Sequence, residues 1–90
     1  MKIKENFVLR QVASSWVVLP LAEATLDFNG MLTLNESGLL LWNRLEKGCT
    51  KEELLEALTE EYDVSDDEAL ADIDEFLEKL KKVGCIDVQA

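Results

Sequence analysis

The hydrophobic pattern of this chain changes period once, near Asn35, and that change limits what it can fold into. Before Asn35 the apolar residues come in short β-branched and aromatic runs; after it they recur every three or four residues. Phe7-Val8-Leu9-Arg10-Gln11-Val12 predicts a strand, interrupted at Ala13-Ser14-Ser15. Trp16 to Leu21 predicts a second, with Pro20 marking its end or a free edge. A third run, Leu26 to Leu34, contains the tight-turn pair Asn29-Gly30, and beyond it Met31-Leu32-Thr33-Leu34 alternates at period two. Such a sheet has an apolar face that something must cover.

Three helices follow that can cover it. Asn35 is a good N-cap, and Leu39, Leu41, Trp42 and Leu45 form an apolar stripe that ends at Gly48. Thr50-Lys51-Glu52-Glu53 is a capping box that opens a second helix carrying Leu54, Leu55, Leu58 and Tyr62. Ser65-Asp66-Asp67-Glu68 is another. The third helix then carries Ala69, Leu70, Ile73, Phe76, Leu77, Leu80 and Val83, and Gly84 stops it. Its acidic first turn and its lysines near the end suit the helix dipole. A short tail, Cys85 to Val88, can be extended. The expected fold is α+β and winged-helix-like: a three-stranded antiparallel N-terminal sheet followed by three helices.

Ninety residues make a single domain, with no room for separate cofactor and substrate domains. The chain has no histidine. That removes the commonest general base, the commonest metal ligand and every histidine-assisted nucleophile. The expectation is a protein that is not an enzyme and carries no cofactor.

Charge narrows the partners. Residues 1–50 hold five bases and five acids, whereas residues 51–90 hold four lysines and fourteen acids, so the whole net charge of −10 lies in the second part. Phosphate backbones and anionic membranes are repelled by such a surface; a basic peptide is attracted. The longest uninterrupted apolar run, Trp16 to Ala22, is seven residues, too short to span a bilayer. No targeting segment is expected. Cys49 and Cys85 stand alone, without a CxxC pair, which suits two reduced thiols in a cytoplasmic protein.

Other chemistries fare poorly. An EF-hand register placing Asp63, Ser65 and Asp67 at positions 1, 3 and 5 puts Glu68 where the turn glycine belongs, and Asp74 where a bidentate Glu belongs. Two helix-capping signals account for those acids better. Glu36-Ser37-Gly38-Leu39 distantly resembles the phosphopantetheine serine of acyl carrier proteins, but three strand-like runs precede it. Trp16 and Trp42 sit among aliphatics and are expected core anchors.

The order of the pieces resembles one family. Met31-Leu32-Thr33-Leu34-Asn35-Glu36-Ser37-Gly38, then Leu41-Trp42, then Glu46-Lys47-Gly48-Cys49-Thr50-Lys51-Glu52-Glu53-Leu54 and Tyr62-Asp63-Val64, is similar to the PqqD family. So is Asp72-Ile73-Asp74-Glu75-Phe76-Leu77-Glu78-Lys79-Leu80 with Gly84. The resemblance runs from about Phe7 to Val88. It implies a winged-helix peptide chaperone, or RiPP recognition element. Such a domain holds the leader segment of a ribosomally made precursor peptide and presents it to a modifying enzyme, often a radical SAM maturase. The founding member serves PQQ biosynthesis; nothing in this sequence selects that pathway over another.

The resemblance also implies a site. In the family the leader adds as a strand beside the third strand, with apolar side chains entering a groove against the third helix. Carried over, the peptide-binding residues are Met31, Leu32, Thr33 and Leu34 with Leu70, Ile73, Leu77 and Leu80. An edge strand is a template for strand addition in any case. The third helix has more apolar residues than one core stripe needs, so Leu70 and Leu77, or Ile73 and Leu80, can face a partner. The alternative function is a DNA-binding winged-helix regulator, disfavoured because both later helices are acid-rich.

Overall fold

Each helix begins where a side chain can satisfy its first backbone donors. In the computed structural model, which describes residues 1–5, 7–21 and 32–88, α1 spans Glu36–Lys47, α2 Lys51–Glu61 and α3 Asp66–Val83. Asn35 Oδ1 accepts from Gly38 N–H at 2.8 Å. Thr50 and Glu53 form a reciprocal capping box at 3.2 and 3.0 Å. Ser65 Oγ accepts from Glu68 N–H at 3.2 Å. Gly84 ends α3 in the left-handed region at φ 77°.

The strands are β1 (Lys2–Ile3), β2 (Phe7–Val12), β3 (Ser15–Pro20), β4 (Leu32–Leu34) and β5 (Ile86–Asp87). β2, β3 and β4 make an antiparallel sheet in that order. The α+β, winged-helix-like expectation holds, with one addition: β1 pairs antiparallel with β5, so strand pairing is not confined to the N-terminal part. The expected start of the third strand, with the Asn29-Gly30 turn, lies outside the described residues, as does Met31.

One face of the sheet carries Phe7, Leu9, Trp16, Val18, Leu32 and Leu34 toward the helices. Trp42, Leu45, Leu54, Ile73, Leu80, Val18 and Cys85 are fully buried in the core so formed. Trp42 is thus a core anchor; Trp16 is half-buried and packs against the same core. The Trp42 Nε1–H is buried without a hydrogen-bond partner among the described residues. That costs about 1–3 kcal/mol, which burial of the large indole offsets. Among the described residues no helix is long and apolar enough to cross a membrane.

Candidate functional site: an open strand edge beside a groove

The two-residue turn between β2 and β3 decides which backbone groups remain free at the far side of the sheet. Val12 and Ser15 face each other across Ala13-Ser14, with Ala13 at φ 55°. Only two residues separate them, so no inner pair exists to carry the bonds of a widely spaced pair. Val12 and Ser15 must therefore exchange both backbone hydrogen bonds themselves. The alternation then places Val17 and Leu19 toward β2, and turns the N–H and C=O of Trp16 and Val18 toward β4.

Trp16 lies opposite Leu34, Val17 opposite Thr33, and Val18 opposite Leu32. Leu32 and Leu34 therefore bond back to β3. The N–H and C=O of Thr33 point to the other edge, where no described strand pairs with them. Side chains follow the same alternation. Leu32 and Leu34 are buried in the core face, and the Thr33 side chain is exposed.

Beside this edge lies a groove of about 430 Å³ between β4, the start of α1 and α3. Leu32, Leu34, Leu41, Leu58 and Phe76 give it apolar walls. Gly38 contributes by having no side chain: a Cβ there would stand 3.5 Å from Phe76 Cε1 and 3.6 Å from Leu34 Cβ. Asp72, Glu75 and Lys79 supply charge along its α3 side. Lys79 pairs with Glu75 at 3.8 Å.

The structure brings Leu32, Thr33 and Leu34 to the groove. On α3 it separates the expected residues from it. Ile73, Leu77 and Leu80 are 0%, 6% and 0% exposed and belong to the core; Leu70 is half-buried and does not line the groove. The groove-facing row of α3 is instead Asp72, Glu75, Phe76 and Lys79. On a helical wheel Ile73 and Leu80 mark the centre of the apolar stripe, with Phe76 on one flank and Leu77 on the other. The stripe alone does not say which flank meets β4.

The remaining candidates place as follows. Among the described residues no group of three or more carboxylates or thiols is arranged to hold a metal ion. Cys49 and Cys85 are free thiols. Burial pushes both thiols up from their ordinary range, Cys85 to about 11. At neutral pH they are protonated and poor nucleophiles.

Residues 15–86 match the family described as Coenzyme PQQ synthesis protein D (PqqD). The solved structure of TbiB1 in complex with the TbiA(beta) leader peptide is similar, with a TM-score of 0.78 and 27% identity over 100% of this chain and 99% of that one. Lasso peptide synthetase B1 complexed with the leader peptide shares the fold, with a TM-score of 0.73 and 24% identity over 93% of each chain. No curated protein matches the chain. A match that spans most of the chain makes this protein a member of the PqqD family.

Proposed function

We propose that this domain is a peptide chaperone, which binds the leader segment of a ribosomally made precursor peptide and presents it to a modifying enzyme. The observation that carries the reading is the outward-facing backbone of Thr33 beside the apolar groove. An extended peptide laid along β4 gains main-chain hydrogen bonds from the edge whatever its sequence. Its alternate side chains enter the groove and supply selectivity. The likeness to TbiB1, itself a leader-peptide complex, supports the same reading.

In this reading the protein is not itself an enzyme: it acts in the cytoplasm as one peptide-binding domain over residues 1–90, without a cofactor. Its partner enzyme is a peptide-modifying enzyme, radical SAM maturases being one such class. DNA recognition is the poorer reading, because exposed acids crowd α2 and α3 and would face phosphates. The test is a titration of the labelled domain with the leader peptide encoded beside its gene, at several salt concentrations. Binding that weakens only modestly with salt supports strand addition. A steep loss with salt, or preference for duplex DNA over the peptide, contradicts it.

A further inference from the structure

Two acids of α3 line the groove, Asp72 and Glu75. Glu75 pairs with Lys79, which lines the same groove. Asp72 is different: it lines the groove, and its carboxylate has no hydrogen-bond or ion-pair partner among the described residues. It stands one helical turn before Phe76, the aromatic wall of the same groove.

Resting on the peptide-binding reading above, we propose that the groove selects leaders carrying a basic residue two positions from an apolar one, with Asp72 receiving the base and Phe76 the apolar side chain. The spacing fits. Residues four apart on a helix are separated by about 6 Å along the axis. Alternate residues of an extended peptide, which point to one face, are separated by about 6.7 Å. A peptide segment running along α3 in the groove can thus set successive same-face side chains against Asp72 and Phe76.

Charge supports the same occupant. The net charge of −10 steers any cationic peptide to the protein, but that field acts at long range and fixes no position. Asp72 fixes one, since a Lys or Arg set against it forms a charge-assisted hydrogen bond at one defined point along the groove. Acidic or neutral side chains at that position gain nothing from it. Asp72 therefore sets leader specificity, while the Thr33 edge supplies binding that is indifferent to side chains.

The test is selection of displayed random twelve-residue peptides on three immobilised proteins: wild type, Asp72→Asn, and Glu61→Gln as a control with the same change in net charge. The expected result is enrichment of Lys or Arg two residues from an aromatic or aliphatic residue on wild type and Glu61→Gln. On Asp72→Asn the apolar preference should survive and the basic preference should disappear. A winning peptide should bind Asp72→Asn about 5–20-fold more weakly than wild type, and its Lys→Gln version should bind both alike. Enriched peptides with no basic preference, or the same preference on all three proteins, would overturn the role of Asp72 while leaving strand addition intact. Failure of every peptide to enrich on wild type would overturn both.

Discussion

Gly38 of α1 and Phe76 of α3 meet at the groove so closely that a methyl group on Gly38 would stand 3.5 Å from the Phe76 ring. The same methyl would stand 3.1 Å from Asn35 Oδ1, the atom that caps α1. Replacing a helical glycine by alanine gains about 1 kcal/mol of propensity, and disturbing an N-cap costs about as much. Gly38→Ala should therefore leave stability within about 1 kcal/mol of wild type in denaturant unfolding. Its peptide affinity should fall, because the methyl narrows the groove.

The parity of the β3–β4 ladder makes a sharper statement about β4. Leu32→Pro and Leu34→Pro each remove a donor that bonds to β3 and should damage the fold. Thr33→Pro removes only an outward donor, a position where an edge strand tolerates proline. It should keep its circular dichroism spectrum and lose about 1–3 kcal/mol of peptide binding in a titration.

Phe76 and Leu77 are adjacent in sequence, but Phe76 lines the groove and Leu77 is buried in the core. Leu77→Glu buries a carboxylate in the core and should cost several kcal/mol, enough to unfold so small a domain in a thermal melt. Phe76 is half-buried against the same core, so Phe76→Ala should lower the melting temperature less than Leu77→Glu does, yet weaken the peptide at least tenfold. Equal damage to stability from both would place Phe76 in the core as well.

That pair also shows where sequence reading stops. The caps at Asn35, Thr50 and Ser65 and the stop at Gly84 are local chemistry, and the structure has them where the sequence puts them. The ribbon of β1 with β5 joins Lys2 to Asp87, a contact between chain ends that two residues of pattern cannot announce. The α3 side of the groove was hidden for a related reason. Phe76 and Leu77 flank one stripe symmetrically, and only the docking of α3 against β4 chooses between them. The β4 side was legible because alternation at period two fixes which side chains turn inward.

The buried thiol of Cys85 gives a pH signature. Burial holds its pKa up at about 11, against 9.0 in the open chain, and its Sγ lies 3.7 Å from Leu80 O. A raised folded-state pKa means that the unfolded chain loses this proton first. The contribution is fully present below pH 9 and is lost as pH rises from 9 to 11, by about 2–3 kcal/mol at about 1.4 kcal/mol per pKa unit. Urea unfolding across that window should show a shallower loss for Cys85→Ala than for wild type, whatever its absolute stability. Cys49 is shifted the same way, mainly by burial, and is common to both proteins.

The most direct test of the central claim is amide hydrogen exchange of β4, read by NMR with and without the leader peptide encoded beside the gene. In the free domain the Leu32 and Leu34 amides should be protected by β3, and the Thr33 amide should exchange fast. Saturating peptide should protect Thr33 strongly and change Leu32 and Leu34 little, the mark of a new strand on the open edge. Tight peptide binding that leaves the Thr33 amide exchanging as before would contradict the account.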